Sequence, residues 1–182
     1  KVVLYEGVEI IDIGLATTPT FYFAVVYGNF EGGVQVSASH NPPQYNGFKL
    51  VRTKAIPVSG ETGMDKIMNL VIKNEFGPIK SGGNVTGKEG VVLEEVKRQR
   101  EGIDWQKIKP FKIVVDTGNG MGAIDVEAVF ADLACNLVKM NFDLDGTFPA
   151  HMPDPLKEEN MKALQERVVL EKADLGIATD GD

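Results

Sequence analysis

Between residues 112 and 178 the chain alternates short apolar runs with longer helical patterns, and no other feature limits its fold so tightly. Lys112-Ile113-Val114-Val115-Asp116 reads as a buried strand, and residues 137–140 and 175–178 read the same way. Residues 124–134 and 158–171, between these runs, carry helical periodicity. Strands joined by helices of about ten or more residues cross over rather than turn back. They therefore lie parallel in one sheet, with helices on both faces. Gly118, Gly120 and Gly122 make the tight turn out of the first strand.

The first half has a looser rhythm. Residues 2–4 and 8–13 read as short strands, and Thr18-Pro19 opens a helix, with Thr18 at the cap and Pro19 at the first helical position. Residues 21–27 form its body, and Gly28 with Gly32-Gly33 end it. Strands are expected at 34–37 and 47–51, the latter with Phe48 and Leu50 on one face and Lys49 on the other. Met64, Ile67, Met68, Val71 and Ile72 fall at helical spacing and predict an amphipathic helix over 61–73. Residues 74–87 read as loop, and 90–101 as a polar connecting helix. Net charge is +1 over residues 1–100 and −8 over 101–182, a change of sign that supports two domains, 1–102 and 103–182. The expected class is α/β, with two three-layer domains whose sheets are mixed or mostly parallel.

Composition narrows the function. An overall charge of −7 argues against nucleic acid, which calls for a basic face, but leaves room for a small anionic substrate in a locally positive cleft. No apolar run approaches the ~18 residues of a membrane span, so no membrane association is expected. The opening residues lack the basic head and apolar core of a secretory signal. Cys135 is the one cysteine and can neither form an internal disulfide nor alone hold zinc, which makes a cytoplasmic protein the expectation. Cys135 reads as a core residue and His151 as a structural one.

The segment Ser37-Ala38-Ser39-His40-Asn41-Pro42-Pro43-Gln44-Tyr45-Asn46-Gly47-Phe48-Lys49 stands between two expected strands and is dense in turn formers. A hydroxyl, an imidazole and an amide are adjacent in it, and an ammonium follows ten residues after Ser39. That set suits acyl or phosphoryl transfer. Acyl transfer favours a Gly-x-Ser-x-Gly elbow, and about Ser39 stand Ala38 and Asn41 instead of glycines, with His151 the only other histidine. The plainer alternative is a tight turn in which Ser39 and Asn41 bond backbone groups and Lys49 is a solvated strand residue.

This loop resembles the active-site loop of the α-D-phosphohexomutases, most closely the phosphomannomutase/phosphoglucomutase group. Phe148-Pro149-Ala150-His151-Met152-Pro153-Asp154-Pro155 is similar to a second-domain segment of that family, with Met152 where histidine is common. Thr179-Asp180-Gly181-Asp182 is similar to the start of its metal loop. The resemblance implies a partial phosphoglucomutase-type fold. It also implies interconversion of hexose 1-phosphate and hexose 6-phosphate through a phosphoserine at Ser39, with a hexose 1,6-bisphosphate as intermediate and activator.

By the same resemblance Lys49 and His40 join Ser39 as catalytic residues and Asn41 binds substrate. One Mg²⁺ is held by Asp180, Asp182 and an oxygen on Ser39. The family's loop continues to a third aspartate and an arginine, and its proteins have further domains. These are the expected partners of this piece beside the sugar phosphate, and without them it is expected to be inactive alone.

Two rival readings remain. Gly118-x-Gly120-x-x-Ala123 after a buried strand is a literal dinucleotide fingerprint, although Asn141 stands where an acid should end the next strand. An inactive fragment or paralogue that only binds is the other.

Overall fold

The computed structural model describes residues 7–39, 41–78 and 82–182. Contacts divide the chain into two compact units that interleave in sequence: residues 1–15, 21–35 and 49–91 in the first, and 16–20, 36–48 and 92–182 in the second.

In the first unit, β1 (Ile10–Asp12) pairs in parallel with β5 (Val85–Gly87). A second sheet has the order β2 (Gly32–Val36), β3 (Phe48–Arg52), β4 (Ile56–Pro57), the last two antiparallel. Helix α1 (Thr18–Tyr27) sets Phe21 and Val25 against Val51, all three buried. Gly33 lies so close that a Cβ there would stand 2.6 Å from Phe21 and 2.7 Å from Val25. The packed face of β3 is thus the one shared by Val51 and Lys49, while Phe48 is 67% exposed.

Two expectations need correction here. The helix expected over 61–73 is interrupted, because Gly63 takes φ +148°. A single wide turn over Gly60–Met64 therefore precedes α2 (Asp65–Lys73). The apolar stripe of α2 is largely exposed, Ile72 at 73%. Residues 74–87 are not all loop, since β5 ends them; three exposed residues paired with a distant strand leave no alternation to read. The expected strand over 2–4 lies outside the described residues.

The second unit follows the alternating pattern. β6 (Lys112–Asp116) is central, flanked in parallel by β7 (Asn136–Met140) and β8 (Leu175–Ala178). Helices α4 (Gly122–Phe130) and α5 (Glu158–Glu171) make the crossovers. Val114 and Val115 are fully buried, and Ile113, Val115 and Val126 form a core with Phe130, Leu137 and Ile177 around them. Leu164 and Val168 of α5 reach the backbone of Gly176 in β8, where a Cβ would meet Val168 at 2.7 Å. Helix α3 (Val91–Gln99) is shorter than the expected 90–101 and buries Val91, Glu95 and Val96. The carboxyl ends of β6, β7 and β8 share one edge, where ligands bind in open parallel sheets.

Candidate active site

β8 ends at Ala178, and the chain leaves the sheet through Thr179, whose N–H donates to the Asp116 carbonyl at 3.1 Å. In the next turn the Asp182 N–H donates to Asp180 Oδ1 at 3.2 Å, which fixes the Asp180 side chain on the backbone of the turn. The glycine turn after β6 is the bed for this segment. A Cβ on Gly120 would meet Gly181 Cα at 3.0 Å, one on Gly122 would strike Thr179 Oγ1 at 2.3 Å, and the Met121 N–H donates to the Gly181 carbonyl at 3.2 Å.

The serine loop belongs to the same unit. Its neck is closed by the Ser37 N–H donating to the Gly47 carbonyl at 3.1 Å. Ser39 takes φ +54°, a left-handed conformation that costs a non-glycine residue about 1–2 kcal/mol and is concentrated at functional sites. The Ser39 N–H donates to Ser37 Oγ at 3.0 Å, which holds the turn. Ser39 Oγ donates to Asp182 Oδ1 at 3.1 Å. Ser37 Oγ donates to Asp182 Oδ2 at 2.6 Å and Thr18 Oγ1 to the same oxygen at 3.2 Å. Gly181 lies under the loop, where a Cβ would stand 3.0 Å from the Ser39 carbonyl oxygen.

Ser39 and Asp182, distant in sequence, are therefore in hydrogen-bond contact, and Asp180 stands in the same turn as Asp182 with its carboxylate on the Asp182 N–H. Asn41 is in the same loop, and its side-chain amide and its N–H both donate to the Ala38 carbonyl, at 2.7 and 3.1 Å. Lys49 is a half-buried residue of β3 and belongs to the first unit. His40 lies outside the described residues. Among the described residues no group of three or more His, Cys, Asp or Glu is gathered for a metal. The donor set is two carboxylates and a seryl oxygen. Such hard oxygens suit Mg²⁺, which commonly takes one or two carboxylates and completes its shell with phosphate and water. The residues present fit that ion.

Sequence reasoning missed several contributors. Thr18 looked like a helix cap, yet the Thr20 N–H reaches Thr17 Oγ1 at 3.4 Å, so the cap is one residue earlier, and the Thr18 hydroxyl donates to Asp182. Thr17 and Thr20 are buried on two acids: Thr17 Oγ1 donates to Asp125 at 2.6 Å and Thr20 Oγ1 to Glu95 at 2.5 Å. Burial is the main cause that raises both carboxyls above their usual range, offset in part by the threonine hydroxyls, and the Asp125 charge adds to the rise at Glu95.

Beneath the glycine turn, buried Asp116 accepts from the Gly118 N–H at 2.9 Å, the Asn141 amide at 2.8 Å and the His151 ring at 2.9 Å. Burial works to lower the His151 pKa. The hydrogen bonds to the Met152 carbonyl and Asp116, with the Asp116 charge, outweigh it and hold the imidazole above its usual value. Cys135 packs beside the β6 core, half-buried.

The dinucleotide reading of the glycine turn is corrected by this geometry. In that fingerprint the glycines leave space at the helix N-terminus for a pyrophosphate. Here the space against Gly120 and Gly122 is filled by residues 179–181 of the chain itself, and the Met121 N–H is already engaged. Among the described residues no helix is long and apolar enough to cross a membrane.

Comparison with known proteins places this arrangement. Residues 1–78 match the family model for phosphoglucomutase/phosphomannomutase α/β/α domain I, and residues 93–182 match domain II. The chain is 42% identical over 181 residues to a phosphomannomutase from Vibrio cholerae, covering 97% of this chain and 39% of that one. It is 37% identical over 177 residues to a Pseudomonas aeruginosa phosphomannomutase/phosphoglucomutase, covering 97% and 36%. A crystal structure of a family protein from Burkholderia thailandensis superposes with a TM-score of 0.85 at 32% identity, covering 99% of this chain and 40% of that one. The chain thus spans about two fifths of the length of these relatives. With both domain models matched in order and the serine and aspartate loops meeting in the second unit, the chain belongs to the phosphoglucomutase/phosphomannomutase family.

Proposed function

We propose that this chain carries the phosphoryl-accepting part of a phosphohexomutase that interconverts hexose 1-phosphate and hexose 6-phosphate through a phosphoserine at Ser39. The observation that carries the reading is the 3.1 Å hydrogen bond from Ser39 Oγ to Asp182 at the carboxyl end of a parallel sheet. The proton in that bond is the one that phosphorylation removes. Once Ser39 bears a phosphoryl group, two anionic oxygens face each other across the same gap. A divalent cation held by Asp180, Asp182 and the phosphoseryl oxygen is the simplest occupant, and Mg²⁺ fits the donor set. When bound, such an ion draws charge from the transferring oxygens.

The chain's own residues supply the rest. A hydroxyl of the sugar phosphate attacks the phosphorus, and the bond to Ser39 Oγ breaks. Lys49 manages the proton that leaves the attacking hydroxyl, and His40 and Asn41 orient phosphate or sugar. The bisphosphate formed turns in the site and returns its other phosphoryl group to Ser39, so two transfers amount to one isomerisation. Transition states of this kind are loose and rich in charge, and catalysis is chiefly positioning and charge stabilisation. Holding Ser39 at φ +54° is positioning of that sort. Residues 1–102 and 103–182 are the two domains in this proposal, the serine loop in the first and the cation loop in the second.

The test is kinetic. Ser39→Ala in the full-length protein is expected to abolish mutase turnover with an unchanged melting temperature. Lys49→Ala is expected to slow transfer by about 10²–10⁴, the usual worth of a proton-handling group. Wild-type turnover in the Ser39→Ala protein would overturn the proposal.

A further inference from the structure

We infer that Thr18 and Ser37 form a hydroxyl clamp that fixes the Asp182 carboxylate, so that one of its oxygens faces Ser39 and the cation throughout the phosphoserine cycle. The inference rests on the metal reading given above and adds two positioning residues to it.

A carboxylate oxygen accepts about two good hydrogen bonds. Asp182 Oδ2 takes one from Ser37 Oγ at 2.6 Å and one from Thr18 Oγ1 at 3.2 Å, which fills it. Oδ1 takes the Ser39 hydroxyl at 3.1 Å and is thus the oxygen on the side of the serine. The two oxygens of one side chain therefore have different tasks. When Ser39 is phosphorylated its hydroxyl proton is gone and Oδ1 loses that partner. The two bonds to Oδ2 involve no atom that reacts, so they persist and keep the carboxylate plane from rotating.

Each half of the clamp is anchored separately. Ser37 Oγ also accepts the Ser39 N–H at 3.0 Å, so one hydroxyl sets both the turn of the reactive serine and the angle of its neighbouring acid. Thr18 stands between Thr17 and Thr20, 2% and 0% exposed, whose hydroxyls are tied to Asp125 and Glu95. A threonine at the first position of α1 is thus held by burial of its neighbours. Groups that orient a metal's carboxylate ligand typically contribute 10- to 100-fold to metal affinity.

The experiment measures Mg²⁺ and Mn²⁺ binding to the full-length, dephosphorylated protein by calorimetry, beside melting curves without metal. Thr18→Val is expected to weaken cation binding about tenfold or more, Thr18→Ser to restore it, and Ser37→Ala to weaken it similarly. Asp182→Asn is the control for the underlying reading and is expected to abolish binding. Should Asp182→Asn bind as wild type does, the metal assignment itself fails. Should Asp182→Asn fail to bind while Thr18→Val and Ser37→Ala, both folded, bind as wild type, the clamp alone is overturned. If Thr18→Val does not fold, the Thr18→Ser and Ser37→Ala proteins still decide: unchanged affinity for Ser37→Ala contradicts the clamp.

Discussion

At Gly122 a Cβ atom would stand 2.3 Å from Thr179 Oγ1 and 2.7 Å from Thr179 Cβ, beside the loop that bears Asp180 and Asp182. Gly122→Ala must therefore displace Thr179 or the start of α4. Overpacking of this kind typically costs about 1–3 kcal/mol. The variant is expected to melt earlier and to bind Mg²⁺ more weakly, as read by calorimetric melting and titration, whereas Gly146→Ala, with open space around it, serves as the neutral control. His151 allows a second residue-scale prediction. Its folded pKa is raised, so its contribution to stability is complete below its ordinary value of about 6.5 and is lost as pH climbs through the folded value. His151→Gln is expected to flatten the decline of melting temperature on the alkaline side of neutrality. An equal decline in both proteins would show that the Asp116–His151 pair does not act this way.

At the scale of elements, the start of α1 is tied to α3 and α4 by two acids whose folded pKa values are raised, mainly by burial. The folded state holds protons that the unfolded chain has already released, so stability falls as pH rises from the ordinary carboxylate range through the raised values. Glu95→Gln keeps an acceptor for Thr20 and removes the charge. It is expected to reduce that slope, as followed by thermal melts from acid to neutral pH, and an unchanged slope would contradict the assignment. At the other end of the unit, Lys112 Nζ donates to the Glu171 carbonyl and carboxylate at 2.7 Å each, placing a cation on the C-terminal turn of α5, where the helix dipole favours it.

The elements of the second unit were legible because period and length agree: β6 has the unbroken apolar centre Ile113, Val114 and Val115, and the helical segments between the strands exceed any turn. In the first unit the signal was weaker for physical reasons. β5 is three exposed residues, and the apolar spacing of α2 belongs to a stripe that remains exposed. Gly63 ended a predicted helix because only its φ, not its composition, differs from that of a tolerated glycine. Ser39 and Asp182 could be paired from their motifs. Thr18 could not, since a threonine before proline at a helix start is already explained by capping, and Glu95 on a polar helix gave no sign of burial.

On the scale of the whole molecule, residues 1–182 bring Ser39 and Asp182 into hydrogen-bond contact but correspond to about two fifths of their relatives' length. Closure around a substrate excludes water and protects a transferable phosphoryl group from hydrolysis. A purified product limited to residues 1–182 is therefore expected to show no measurable mutase turnover in a coupled assay, while the full-length protein turns over. Vigorous turnover by the short product would contradict this. The account depends most on Ser39 being the phosphoryl way-station, and the most direct measurement is to charge the full-length protein with hexose 1,6-bisphosphate carrying labelled phosphate and map the label by peptide mass spectrometry. The label is predicted on Ser39, discharged by addition of hexose monophosphate and absent from Ser39→Ala. Label on Ser37 or another residue, or its retention in Ser39→Ala, would contradict the account.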